Sequence, residues 1–187
     1  MFALDYDGVI ADTNTQKSEW ILRHCGIHVP SYKCDRSSCV PLIGEDAYQE
    51  MGQEVYGEYL SLRARPVPGL KESLESLKGY GPLHIISARN GKQLQSAHLW
   101  LEQQSLRSYF EGIYVLGNIN KVSRAVSLGC QILIDDDPRH LTVETEKKVI
   151  RILLKIGADD SPVASTEFLF CRSWKEAVRK AIEAVRR

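Results

Sequence analysis

Asp5 and Asp7 are two carboxylates at i and i+2, directly after a short apolar run, Met1–Leu4, that reads as a buried strand. Side chains alternate along an extended segment, so both acids can face one crevice. Gly8 lets the backbone turn sharply behind them. The carboxyl ends of strands in open α/β sheets are where ligands and reacting groups gather. Carboxylates placed there can hold a hard cation, attack an electrophile or move a proton. A lone turn rich in Asp and Gly is common; this one has company.

Three further signals follow in a fixed order, each after its own apolar run. Leu83-His84-Ile85-Ile86-Ser87 is a strand ending in a hydroxyl. Lys121 opens a helical pattern that runs to Leu128. Gln131-Ile132-Leu133-Ile134-Asp135-Asp136-Asp137 is a strand ending in an acidic cluster. Four strand or helix ends with matching chemistry, in order, define the candidate site.

The ordered set resembles the haloacid dehalogenase (HAD) superfamily of phosphatases, and the likeness spans most of the chain. Its first motif, Asp5-Tyr6-Asp7-Gly8-Val9-Ile10-Ala11-Asp12-Thr13, is similar to the family's D-x-D-G-[TV]-[LI]-x-D-[ST] segment. The resemblance implies that Asp5 is a nucleophile forming an aspartyl-phosphate, and that Asp7 is the general acid and base. Family dehalogenases lack an acid at the Asp7 position, so its presence points to phosphoryl chemistry. Donation at neutral pH requires a raised pKa, which neighbouring carboxylates are expected to supply. Ser87 would bind a phosphoryl oxygen, with Gly8, Ala88 and Arg89 beside it, and Lys121 would neutralise charge on Asp5 and the phosphate. Lys92 is a rival for the Lys121 role. Mg²⁺ is the implied cofactor, held by the Asp5 carboxylate, the Asp7 backbone carbonyl and Asp136. Asp135 would assist through water or orient Lys121. Asp137 is read as capping the turn before Pro138, and His140 replaces the second Asp of the longer form of this motif.

These groups need elements to position them. From Pro68-Gly69 onward, strand and helix patterns alternate: helix Leu70 to Leu77, helix Gly91 to Gln104, strand Ile113 to Leu116, strand Val149 to Leu154, strand Phe168 to Phe170. Ser173 and Glu176 form a capping box on the final helix. The expected fold is α/β: a three-layer α/β/α Rossmann-like HAD fold, with a mostly parallel central sheet. Residues 14–66 break the rhythm. Helical patterns at Thr15 to Cys25 and Glu45 to Leu62 flank a loop from Val29 to Pro41, too much chain for an ordinary βα connection. The resemblance makes 14–66 a helical cap and 1–13 with 67–187 the core. In the cap, Trp20, Tyr48, Tyr56 and Tyr59 read as core aromatics or as stacking surfaces for a base or sugar.

Composition narrows the classes. A chain of 187 residues buries one good core with a small appendage. Basic and acidic residues cancel at 24 each, so nothing global draws the protein to a nucleic-acid polymer or a membrane. No apolar stretch approaches the length needed to span a bilayer and no signal peptide is read, which makes the cytoplasm the expected location. Five cysteines at irregular spacing suit reduced thiols. Cys25, His28, Cys34 and Cys39 lie close in sequence but lack the paired C-x-x-C knuckles of a zinc site.

The expected function is a Mg²⁺-dependent phosphomonoester hydrolase acting on a small phosphorylated metabolite, as a monomer or homodimer. A nucleotide substrate is suggested by partial likeness to cytosolic deoxyribonucleotidases, carried by the start and by Ile134-Asp135-Asp136-Asp137-Pro138-Arg139-His140. The alternatives are a phosphotransferase or phosphomutase of the same superfamily, and a catalytically idle HAD-fold binding protein. A signalling receiver domain uses similar groups, but the residue order and the 14–66 insertion go against it.

Overall fold

The computed structural model describes residues 1–143, 148–159 and 165–186. Six strands form one sheet: β1 (Phe2–Leu4), β2 (Leu83–Ser87), β3 (Phe110–Val115), β4 (Ile132–Asp135), β5 (Ile150–Leu154) and β6 (Leu169–Cys171). Their order is β3-β2-β1-β4-β5-β6, and every neighbouring pair is parallel. The chain builds outward on one side of β1 and then returns to build outward on the other. That reversal, between β1 and β4, opens a crevice at the carboxyl ends of those strands.

The strands read as nearly continuous apolar runs because both faces are covered. Eight helices are described: α1 (Thr13–Cys25), α2 (Arg36–Ile43), α3 (Glu45–Val55), α4 (Glu58–Ser61), α5 (Leu70–Lys78), α6 (Gly91–Gln103), α7 (Lys121–Ser127) and α8 (Trp174–Val185). Phe2, Leu4, Ile85, Ile132 and Ile134 point to one face, where Leu74, Trp100 and Trp174 of α5, α6 and α8 cover them. Ala3, Ile86, Leu133 and Leu153 alternate to the other face and meet Val122 and Ala125 of α7. Two apolar layers thus clamp the sheet and fix its carboxyl edge. The result is a three-layer α/β/α fold.

Residues of α1 to α3 gather a separate apolar cluster around Trp20, Ile21, Met51 and Val55. Two expectations for this region are corrected. The pattern over Glu45 to Leu62 is two helices, because Gly57 takes an extended conformation (φ −65°, ψ 157°) that ends the first. The supposed loop from Val29 to Pro41 gives way at Arg36 to α2, which runs through Pro41 to Ile43 and is started by the Asp35 carboxylate accepting from the Ser38 N–H at 3.1 Å. Asp35 also pairs with Lys155, just past β5, at 2.9 Å, and both are almost fully buried. At α8, Ser173 Oγ accepts from Glu176 N, but the Glu176 carboxylate reaches back to Arg172 N, one residue short of the expected capping box. Among the described residues no helix is long and apolar enough to cross a membrane.

Candidate active site at the β1–β4 crossing

Strand register brings the two acidic segments together. Phe2, Ala3 and Leu4 align with Ile132, Leu133 and Ile134, so the next residues on each strand are Asp5 and Asp135. The Asp5 N–H donates to the Ile134 carbonyl at 2.9 Å, locking that alignment. Beyond Asp5 the chain folds back at once: Gly8 N–H donates to the Ala11 carbonyl at 2.8 Å. Gly8 has φ +74°, and a Cβ there would lie 2.3 Å from Asp136 Oδ2. Only glycine permits both the turn and that close approach.

Lys121, the first residue of α7, inserts its ammonium between the two acids. Nζ lies 2.9 Å from Asp5 Oδ1 and 2.6 Å from Asp135 Oδ2. Asp135 Oδ1 accepts from the Asp137 N–H at 2.9 Å, which fixes the carboxylate plane. The α7 start is secured by Asn120, whose side chain accepts from Ser123 N–H at 2.8 Å. Burial pushes Asp5 up to about 8; Lys121 opposes this, and Asp135, Asp136 and Asp7 add to it. Burial likewise pushes Asp135 up to about 6, against the pull of Lys121. Lys121 is shared between Asp5 and Asp135, and no cation lies within ion-pair distance of Asp136 among the described residues.

Asp5, Asp135 and Asp136 each offer an oxygen within 4.8 Å of the others, the one group of this kind among the described residues. All three donors are hard carboxylate oxygens, the set that suits a hard divalent cation. Asp136 Oδ2 accepts from the Asn14 amide at 2.6 Å, so its orientation is held from α1. The donor set and the unbalanced negative charge both fit a metal. Cys34 and Cys39 instead lie in the apolar cluster of α1 to α3, their thiols donating to the carbonyls of Pro30 and Lys33.

The electrostatics of Asp7 overturn the expected raised pKa. Burial alone would raise it, but the Arg89 guanidinium overrides that and holds the carboxyl below its ordinary value. Arg89 Nε and Nη2 lie 2.9 and 2.8 Å from the two Asp7 oxygens. Arg89 is itself 3 % exposed, with Nη1 donating to Ser61 Oγ at 2.6 Å. The sequence places Arg89 beside Ser87 for phosphate binding; in the structure its buried guanidinium is taken up by Asp7, whose carboxyl is partly exposed.

A cavity of about 190 Å³ opens over these groups. Asp5, Asp7, Ala88, Arg89, Lys121 and Asp136 form its floor and sides. Ser87 is not part of the wall; it is buried, with Oγ accepting from Arg89 N–H at 3.1 Å. Lys92 is exposed and stands outside the cavity. Of the aromatics, Tyr48 and Tyr56 line the wall, Trp20 packs in the α1–α3 cluster and Tyr59 is exposed. Arg139 and His140 also reach the wall, and Asp137 caps its own turn by accepting from Arg139 N–H at 3.0 Å. Sequence reading missed Asn14, Lys17 and Asp35. The first two sit at i and i+3 on α1, one face of the helix immediately after the first motif, which is the signal that could have found them.

No family model matches the chain, and no curated protein matches it by sequence. Solved structures do match over nearly the whole chain. A predicted phosphoglycolate phosphatase from Haemophilus somnus has a TM-score of 0.61 at 15% identity, covering 97% of both chains. A HAD family hydrolase from Deinococcus radiodurans R1, with bound phosphate and sodium, has a TM-score of 0.60 at 17% identity, covering 98% of this chain and 95% of that one. The L-2-haloacid dehalogenase from Xanthobacter autotrophicus has a TM-score of 0.59 at 11% identity, covering 97% of both. Sheet order, crossing point and these neighbours define a three-layer α/β/α scaffold of the Rossmann kind. Specifically, the chain has the haloacid dehalogenase fold.

Proposed function

We propose that the protein is a Mg²⁺-dependent phosphomonoesterase that works through an aspartyl-phosphate. The observation that carries this reading is Lys121 bridging Asp5 and Asp135, with Asp136 beside them, at the β1–β4 crossing. The Asp5 carboxylate, the Asp7 carbonyl and Asp136 would hold Mg²⁺, which when bound supplies counter-charge and alignment for the phosphoryl oxygens.

Lys121 engages Asp5 Oδ1 at 2.9 Å, and in this reading the other carboxylate oxygen, Oδ2, is the attacking atom. It forms a bond to phosphorus as the phosphorus–oxygen ester bond breaks, and Asp7, having taken up a solvent proton once the arriving substrate weakens its pair with Arg89, gives that proton to the departing alkoxide. Asp7 then takes a proton from water, whose oxygen attacks phosphorus, releasing phosphate and restoring the Asp5 carboxylate. Lys121 stabilises the charge on the transferring group in a shielded site, where such contacts act more strongly than in water. Residues 14–66 serve as the cap that covers this chemistry, and residues 1–13 and 67–187 as the core. The bound phosphate of the D. radiodurans neighbour and the Asp7 carboxyl both favour phosphoryl over haloacid chemistry. The test is turnover of p-nitrophenyl phosphate with Mg²⁺: the wild type should release p-nitrophenolate repeatedly and Asp5→Asn should not. Equal turnover by the two proteins would overturn the reading.

A further inference from the structure

The cavity wall carries four cations, and three are already matched with acids. Lys121 has Asp5 and Asp135, Arg89 has Asp7, and Arg139 has Asp137. Lys17 differs. Its side chain is 5 % exposed, lies on the wall, and has no carboxylate within ion-pair distance among the described residues. Nζ donates to Asn14 Oδ1 at 3.1 Å and lies 5.5 Å from the centre of the Tyr56 ring. An ammonium has three donors, and a buried charge is costly unless it is paired. Asp136 and Asp7 act on it only from further off, with Tyr56 and Tyr48 facing it.

We propose that Lys17 receives a second acidic group of the substrate, so that the preferred ester is a short phosphate monoester bearing a carboxylate. This rests on the phosphatase reading above and narrows it. Size favours a carboxylate over a nucleoside. The cavity of about 190 Å³ falls below the roughly 300–1,000 Å³ of pockets that enclose drug-sized ligands. Position agrees: Lys121 reaches the cavity from α7, whereas Lys17 reaches it from α1. The competing role for Lys17 is to steady Asn14, which in turn holds Asp136.

The experiment compares 2-phosphoglycolate with its carboxamide analogue, which has the same shape without the second charge. Turnover and calorimetric binding are measured on the Mg²⁺-loaded wild type, Lys17→Met and Lys17→Arg. The wild type should favour the carboxylate by roughly 10- to 100-fold in kcat/KM, chiefly through KM, as expected for a charge-assisted contact. Lys17→Met should bring that ratio near one, and Lys17→Arg should restore part of it. A ratio near one in the wild type overturns the proposal even if Lys17→Met fails to fold. So does a ratio that survives in Lys17→Met while Mg²⁺ affinity falls, because the residue then acts on Asp136. If the wild type turns over neither ester nor p-nitrophenyl phosphate, yet binds the carboxylate preferentially and loses that preference in Lys17→Met, the phosphatase reading fails and the anion site stands.

Discussion

Arg89 grips Asp7 by both carboxylate oxygens, at 2.9 and 2.8 Å, across 82 residues of sequence. The guanidinium carbon lies 4.8 and 5.2 Å from the ring centres of Tyr6 and Tyr56, so it is also held by two aromatic neighbours. In this arrangement Asp7 is held ionised. The proposed proton donation therefore requires the arriving substrate to weaken the pair.

Removing the guanidinium leaves a largely buried carboxylate alone. Arg89→Met should lower unfolding free energy by about 3–5 kcal/mol at neutral pH, with Asp7→Asn/Arg89→Met recovering part of the loss. The sign of the pH dependence follows from Asp7 being held below its unfolded value of 3.8. Its stabilisation is present above that pH and disappears as pH falls through the folded value. Urea unfolding of wild type and Arg89→Met should thus converge in acid. A gap that stays constant into acid would contradict the assignment of the shift to Arg89.

Asp7 has two duties in the proposed cycle, and they can be separated by leaving group. Asp7→Ala should slow hydrolysis of an alkyl phosphate by roughly 10²–10⁴-fold, the usual worth of a positioned acid or base. With p-nitrophenyl phosphate the first step needs little protonation, but the second still needs a base. Stopped-flow should then show a burst of one equivalent of p-nitrophenolate before slow turnover. A linear trace at the wild-type rate would exclude a role for Asp7 in either step.

The acidic cluster predicts how metal and pH combine. Asp5 is pushed up to about 8 and Asp135 to about 6, both above the unfolded value of 3.8. The metal-free folded protein retains protons that the unfolded chain releases, so its stability declines as pH rises from about 4 to 8. Calorimetry should show Mg²⁺ raising Tm more at pH 8 than at pH 5. Metal-free Asp5→Asn should melt above wild type at pH 8, because the mutation removes the charge that burial opposes. Equal Mg²⁺ effects at both pH values would argue against metal at this cluster.

Gly8 offers a purely geometric check. A methyl group there would meet Asp136 Oδ2 at 2.3 Å and Asn14 Nδ2 at 2.4 Å, on a backbone with φ +74°. Gly8→Ala should therefore displace Asp136, weaken Mg²⁺ binding and cost about 1–3 kcal/mol of stability. Isothermal titration with Mg²⁺ checks the first effect, and wild-type affinity in a folded Gly8→Ala protein would show that Asp136 is not a ligand.

The sheet was legible in the sequence because strands covered on both faces must be apolar, and Leu83–Ser87 and Ile132–Asp135 leave no other reading. The meeting of Asp5 with Asp135 was legible for the same reason: acids at the ends of core strands have only the sheet edge to occupy. Residues 29–62 were harder. Pro41 hid α2, because proline inside a helix runs against local preference, and Gly57 split a pattern whose apolar spacing continued through it. The destinations of Arg89 and Lys17 depended on long-range packing, which spacing does not encode. So did the direction of the Asp7 shift, since a row of carboxylates nearby suggested the opposite sign until the guanidinium was placed against it.

Acid quench of the Mg²⁺-loaded protein during turnover of p-nitrophenyl phosphate, followed by peptide mass mapping, addresses the central claim most directly. A phosphoryl group should appear on the peptide carrying Asp5, vanish when Mg²⁺ is chelated beforehand, and be absent from Asp5→Asn. Steady release of phosphate with that peptide unmodified, or with the phosphoryl group on another residue, would contradict the account.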